Sequence, residues 1–419
     1  MAETDASHTE APSSIKDAAW LKRRATARVF AALAGEGSET RAVGGAVRDT
    51  LLGLPVTDVD FATTIRPDKV VALARKNDLK AVPTGIEHGT VTVVAGGVSF
   101  EVTTLRRDIE TFGRHAKVTF TKDWAEDAKR RDFTLNALYA SADGTLHDPL
   151  GGYADLVVGR VRFIGEAAAR IKEDYLRILR FFRFNASYGK GGFDEEGLRA
   201  CVRLRAGLRQ LSAERIASEL KRLLVAPRAF EAVSEMFDYG LLCDILGSAP
   251  RLSRFARVIA IEEALGREPN AMVRLAALSV FAAEDVARLA ARFRLSNAEA
   301  LVLALGASDG IDDGLPGEDA AKRVLYRLGP ERFGLYVMLA WASSSAAITD
   351  PQWRGAASLP ERWQAPVFPL RGPDITALGD FSGPRIGAML RTIEQRWIAD
   401  CFAHDREALL ALAKELAAS

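Results

Sequence analysis

Asp58 and Asp60 stand one residue apart in the run Val56-Thr57-Asp58-Val59-Asp60-Phe61. On a strand, period-two alternation puts both carboxylates on one face, a few ångströms apart. Two like charges held that close need a cation between them, and oxygen-only ligands point to a hard divalent ion, Mg2+. Just upstream, Val43-Gly44-Gly45 reads as a strand entering a glycine turn and then a short helix. Glycines at a helix start let backbone N–H groups approach an anion, and the helix dipole favours a phosphate there. Gly45 and, one turn further on, Arg48 are therefore candidate phosphate contacts. Taken singly, the acid pair or the Gly-Gly turn is an ordinary surface feature. Joined within the 17 residues from Gly44 to Asp60, they are the equipment of two-metal phosphoryl chemistry. The GxGxxG spacing of a dinucleotide-binding turn is absent.

These residues lie in a stretch with strand character. Residues 42–43, 59–63, 80–83, 90–94, 98–104 and 162–164 read as short strands, and Gly96-Gly97 between two alternating runs signals a hairpin. Apolar spacing predicts a first helix over 17–33, preceded by a disordered leader at 1–16. Beyond Gly165 the strand signals stop, and Ala/Leu/Arg/Glu-rich helical periodicity runs almost to the end. The expected fold class is α+β: a mixed α/β head with a small sheet at 17–164, then an all-α remainder. That remainder divides at loop signals into a neck (165–230), a body (231–358) and a tail (359–419).

The chain has 419 residues, 48% hydrophobic and 26% charged, which excludes a disordered, collagenous or coiled-coil protein. Three scattered cysteines make no metal knuckle or disulfide framework and fit a reducing compartment. The first 17 residues lack the apolar core of a signal peptide. The longest uncharged run, 333–349, is shorter than the ~20 apolar residues of a membrane span. A cytoplasmic protein is expected. The net charge of +1 argues against a nucleic-acid partner until it is resolved by segment. Residues 160–230 carry 16 Lys and Arg against 8 Asp and Glu, a local +8 that the rest offsets with −7. Such a stretch is either a solvated helix face or an anion-binding surface.

The run GGAVRDTLLGLPVTDVD resembles the signature of the class II CCA-adding tRNA nucleotidyltransferases and their poly(A) polymerase relatives, within the polymerase-β-like superfamily. Further likenesses follow in order: RRDFTLNA at 130–137, DP at 148–149 with GGYADL at 151–156, EDxxRxxRxxRF at 173–184 and SAERIAxEL at 212–220. The resemblance implies a third catalytic carboxylate, at Glu101. It implies metal-assisted attack of an RNA 3′-hydroxyl on the α-phosphate of an NTP, with pyrophosphate leaving. It assigns Arg131 to the nucleotide, and Asp132 and Asn136 to the ribose and local scaffold, all three on one helix.

Asp174, Arg177 and Arg180 recur at i, i+3 spacing and are expected on one side of a helix, where they form either a salt-bridge ladder or a base-reading set. Cytosine and adenine present an amino donor beside a ring-nitrogen acceptor, whereas guanine and uracil present a carbonyl beside an N–H. A carboxylate with a guanidinium matches the first pattern and rejects the second. The expected partners are then CTP, ATP and the acceptor arm of tRNA, held by the basic stretch. Residues 108–117 resemble the family's flexible loop, with departures at Phe112, Ala116 and Lys117. A poly(A) polymerase, a CC-only or A-only enzyme, and an RNA-binding protein with an inactive head are the alternatives.

Overall fold

A computed structural model describes residues 11–35, 37–112, 115–307 and 314–418; for 108–112, 115–117 and 418 it describes the backbone alone. Packing divides the chain into two compact units, 1–245 and 246–419.

The first unit opens with helix α1 (Arg24–Ala32), shorter than the expected 17–33. Of the leader expected over 1–16, residues 1–10 lie outside the described residues. Ser13 and Ile15 are already tied by backbone hydrogen bonds to Leu146 and Gly144, so order begins before Asp17. Then come β1 (Thr40–Val43), α2 (Gly45–Leu51), β2 (Asp60–Thr63), α3 (Pro67–Lys76), β3 (Lys80–Gly85), β4 (Thr90–Ala95) and β5 (Val98–Thr104). In β4 the apolar residues Val91, Val93 and Ala95 are buried and Thr90, Thr92 and Val94 are half-buried, the alternation of a strand with one packed face. Gly96 and Gly97 join it to β5 with φ of +57° and +81°, the left-handed pair that a two-residue hairpin turn requires.

Next follow β6 (Arg106–Phe112), β7 (His115–Phe120), α4 (Trp124–Lys129), β8 (Tyr139–Ala140) and β9 (Leu146–His147). The main sheet has seven strands in the order β3-β4-β5-β2-β1-β8-β9. Only β2 and β5 run parallel, with α3, β3 and β4 forming the crossover between them. On one face Phe30 of α1 meets Phe61 edge-on at 4.9 Å between ring centres. The other face closes over Val43, Ala62, Leu105, Ala128, Ala137, Tyr139 and Ile164. The segment likened to a flexible loop supplies the backbone of a separate β6–β7 ribbon; residues 113 and 114 lie outside the described residues. Residues 162–164 form no strand, and only Phe163 makes a bridge, to Phe133.

Helices α5 (Gly152–Val158), α6 (Ala167–Glu173), α7 (Leu176–Tyr188), α8 (Glu195–Leu204), α9 (Ala213–Leu224) and α10 (Ala229–Asp238) carry the unit onward, with α11 (Leu241–Leu246) at its end. Phe181 of α7 stacks on Phe163 at 5.4 Å, and Phe133 packs 4.9 Å from Phe163. Each such buried ring contributes roughly 1.5–3 kcal/mol and pins α7 to the turn carrying Asp132. Gly152 is obligatory here, because a β-carbon on it would overlap the Thr134 carbonyl oxygen.

The second unit is helical. Arg254 of α12 (Leu252–Ala264) is 4% exposed and donates to the carbonyls of Val280, Gly306 and Leu339, each at or near a helix end. Burial, with Arg251 nearby, lowers this guanidinium to about 10. Toward the end of the chain, Ile375, Ile393, Trp397 and Leu409 share a small core of their own. The predicted α+β architecture, a sheet-bearing head followed by helices, is the architecture observed. Among the described residues no helix is long and apolar enough to cross a membrane.

Candidate active site

The carboxylates come first. Phe61 pairs with Val102 across the parallel β2–β5 ladder, so Asp60 stands beside Glu101. Phe61 and Val102 point into the core while Asp60 and Glu101 are both exposed, which puts the two acids on the opposite face from the buried pair. Asp58 lies just ahead of β2 rather than on it, because the strand begins at Asp60. Buried Val59 between exposed Asp58 and Asp60 nonetheless keeps the alternation that aims the two acids to one side. Thr57 Oγ1 donates to Asp58 at 3.1 Å.

Asp60 reaches water but is crowded by protein, and this desolvation, together with Glu101 and Asp58, raises its carboxyl to about 6 against the pull of Arg131. Among the described residues no three acidic, His or Cys side chains form a ready-made metal cage. The three carboxylates make an open row instead. That fits Mg2+, which binds through one or two carboxylates and completes its shell with water and substrate phosphates. A cation there would relieve the like-charge crowding that raises Asp60.

Around this row runs a connected polar network. Gly44 closes β1 with φ +68°, a conformation that favours glycine, and α2 starts at Gly45. Arg48 folds back over that turn and is only 6% exposed. It donates to Asp49 at 2.9 Å, to Asn136 Oδ1 at 2.6 Å and to the Tyr188 hydroxyl at 2.6 Å. The Asn136 amide donates to Asp132 Oδ1 at 2.9 Å, and Arg180 Nε donates to Asp132 Oδ2 at 2.7 Å. Burial alone would raise the Asp132 carboxyl, but Arg180 and the Asn136 hydrogen bond hold it well below the usual carboxylate range. Arg131 donates to the Tyr139 hydroxyl at 3.2 Å and to Asp127 at 3.3 Å, while Tyr139 donates to Asp127 at 3.0 Å. Burial, assisted by Asp127 and opposed by Arg131, pushes the Tyr139 phenol up to about 12.

Two expectations about helices need correction. Arg131, Asp132 and Asn136 do not share an α-helix: α4 ends at Lys129, Arg131 and Asp132 occupy a bend, and Asn136 closes a 3-10 turn (Thr134–Asn136). The bend arises because Asp132 accepts the next N–H, from Phe133, at 2.9 Å and so breaks helical pairing. Likewise Asp174 lies off the helix of Arg177 and Arg180. It is extended (φ −154°, ψ 107°) between α6 and α7 and accepts the Leu176 N–H at 3.1 Å.

Arg177 turns back to Glu173 and to the Arg170 carbonyl, while Asp174 is held by Arg215 at 2.6 Å. Asp174 and Arg177 are sequence neighbours whose charged ends have different partners. Sequence reasoning missed Asp127, Tyr139, Tyr188, Arg215 and Glu219. Only the last two left a signal, as the ionic residues of the 212–220 motif.

The sequence profile of the "Poly A polymerase head domain" matches residues 40–162, so the carboxylate row and glycine turn lie in a nucleotidyltransferase head. That of the "Probable RNA and SrmB- binding site of polymerase A" matches 192–253. The mitochondrial CCA tRNA nucleotidyltransferase 1 of Mus musculus is 36% identical over 396 residues, covering 91% of this chain and 88% of its own. The CCA-adding enzyme of Limosilactobacillus fermentum is 32% identical, covering 91% and 94%. The crystal structure of the Bacillus stearothermophilus CCA-adding enzyme in complex with CTP superposes with a TM-score of 0.72 at 28% identity, covering 94% of this chain and 97% of that one. The chain belongs to the CCA-adding tRNA nucleotidyltransferase family, and it is an enzyme.

Proposed function

We propose that the protein adds C, C and A to the 3′ end of tRNA from CTP and ATP, without a nucleic-acid template, releasing pyrophosphate. The observation that carries this reading is the register that sets Asp60 beside Glu101 with Asp58 aimed to the same side. The near-full-length relatives named for CCA addition support it. Asp58 and Asp60 would hold Mg2+, which when bound supplies charge neutralisation on the triphosphate and a lowered pKa for the attacking 3′-hydroxyl. Glu101 completes the acidic row. Gly45 and Arg48 shape the turn facing the phosphates, Arg131 meets the nucleotide, and Asp132 and Asn136 define the ribose end.

Asp174, Arg177 and Arg180 select the base, with Arg177 exchanging Glu173 for a cytosine or adenine edge. The basic residues of 160–230 hold the acceptor arm through its phosphates. We assign 17–164 as head, 165–230 as neck, 231–358 as body and 359–419 as tail; the buried core around Trp397 is drawn from residues 370–413, which supports the last boundary, with Tyr326 of the body packed against it. The three free cysteines support a reducing compartment, and we assign the cytoplasm on that basis alone.

The test is a tail-addition assay on tRNA lacking its CCA end, with single nucleotides and mixtures. Addition of C, C, A followed by a stop is expected. Unlimited A addition to any RNA would establish a poly(A) polymerase instead, and products ending at CC or gaining only A would identify the partial enzymes. Asp58→Ala should lower incorporation by at least about a hundredfold while leaving the fold intact; retained activity would sink the carboxylate assignment.

A further inference from the structure

Helix α9 supports the base-selecting residues from behind. Its Arg215 and Glu219 are one turn apart and therefore project from one side. Arg215 Nη2 donates to Asp174 Oδ2 at 2.6 Å, while Asp174 Oδ1 accepts the Leu176 N–H at 3.1 Å. A carboxylate in a non-helical break is thus fixed at both oxygens. Glu219, 4% exposed, accepts from Arg183 Nε at 2.6 Å, and its other oxygen lies 3.7 Å from Arg180 Nη1. Since Asp132 grips Arg180 by its Nε and Nη2, that guanidinium is held between two carboxylates from different elements.

We propose that Arg215 and Glu219 are positioning residues that set nucleotide selectivity, by fixing the Asp174 carboxylate and the Arg180 guanidinium without touching the nucleotide. The inference rests on the assignment of Asp174, Arg177 and Arg180 to base selection. Its physical basis is that a freely rotating carboxylate accepts as readily from the ring N–H of uracil as from the amino group of cytosine. Only a carboxylate held at one place rejects the first. A single helix bearing both clamps also makes the acceptor and the donor move as one body.

The experiment compares wild type, Arg215→Lys, Arg215→Ala, Glu219→Gln, Asp174→Ala and the Arg215→Ala/Asp174→Ala double variant as full chains. Two readouts are taken: binding of CTP, ATP, UTP and GTP with Mg2+ present and no RNA, and single-turnover incorporation into tRNA lacking its tail. Arg215→Ala should narrow the preference for CTP over UTP about tenfold, chiefly through nucleotide KM, with the KM for tRNA unchanged. Arg215→Lys should recover part of the preference, and the double variant should be no less selective than Asp174→Ala alone. Glu219→Gln, which keeps the shape of the buried side chain, should shift selectivity in the same direction.

An equal fall in kcat for all four nucleotides with the preference intact would overturn the proposal, as would additive effects in the double variant. Arg215→Lys, which keeps the charge, decides the matter if Arg215→Ala fails to fold. A wild type that binds all four nucleotides alike would overturn the base-selection reading itself. Discrimination by wild type that Arg215→Ala and Glu219→Gln leave untouched would overturn the positioning role alone.

Discussion

Replacing Asp132 by Asn keeps the shape of the side chain and removes the negative charge between Arg180 and Asn136. In the protein, that carboxylate accepts from Arg180 at 2.7 Å, from Asn136 at 2.9 Å and from the Phe133 N–H at 2.9 Å. Breaking a buried ion pair costs about 3–5 kcal/mol. The Arg180 side chain keeps 29% of its exposure and hence part of its hydration, which reduces the expected cost to about 2 kcal/mol. For a urea m-value of about 2 kcal/mol per molar, the transition of the first unit should move down by about 1 M.

The pH dependence makes the test specific. Arg180 and Asn136 hold the Asp132 carboxyl below its unfolded value. Its contribution is therefore complete above the unfolded pKa, near 4, and is lost only as the pH falls below that. The deficit of Asp132→Asn should be the same at pH 7 and pH 5 and should shrink below about pH 4. A variant as stable as wild type, or a deficit that disappears between pH 7 and pH 5, would refute the reasoning.

Asp60, raised to about 6, binds a proton in competition with a metal as the pH falls; affinity for Mg2+, or for Mn2+ as a probe, should drop about tenfold per unit below pH 6, measured by titration calorimetry. A flat profile down to pH 5 would contradict the perturbed carboxyl. Gly152→Ala sets a methyl group against the Thr134 carbonyl, 2.7 Å from its carbon, and should cost about 3 kcal/mol in the first unit's urea transition. Arg254→Met leaves the Val280, Gly306 and Leu339 carbonyls without their shared donor and should destabilise the second unit by about 3 kcal/mol, read in the same experiment.

Much of the head was legible because its signals are local. Alternation marked β4 and β5 nearly to the residue, and Gly96-Gly97 marked the turn between them. The Asp58/Asp60 pair and the glycine turn are likewise short-range patterns with one chemical meaning when combined. What escaped was set by side chains far apart in the chain. Helical spacing placed Asp174 on the helix of Arg177, but Asp174 is extended, its carboxylate accepts the Leu176 N–H at the start of α7, and Arg215, 41 residues on, holds its other oxygen. Asp127 and Tyr139 belong to no sequence pattern that points to chemistry, and only their mutual burial around Arg131 gives them a part. Arg48 was read as an open phosphate contact, yet the hydroxyl of Tyr188, 140 residues away, helps enclose it.

The parallel pairing of β2 with β5 has a further consequence, for how the protein tolerates change along its length. Asp60 and Glu101 meet through ladder register, and everything between them (α3, β3 and β4) is a detour that leaves the sheet's centre and returns to it. Lengthening that detour, for instance at the turn after α3 where Asp78 adopts φ +54°, costs only a little loop-closure entropy and does not change which residues face each other. A single-residue slip within β5 would turn Glu101 to the buried face and put Phe100 or Val102 in its place. The distance between the two acids along the chain is therefore free to vary, and their parity is not.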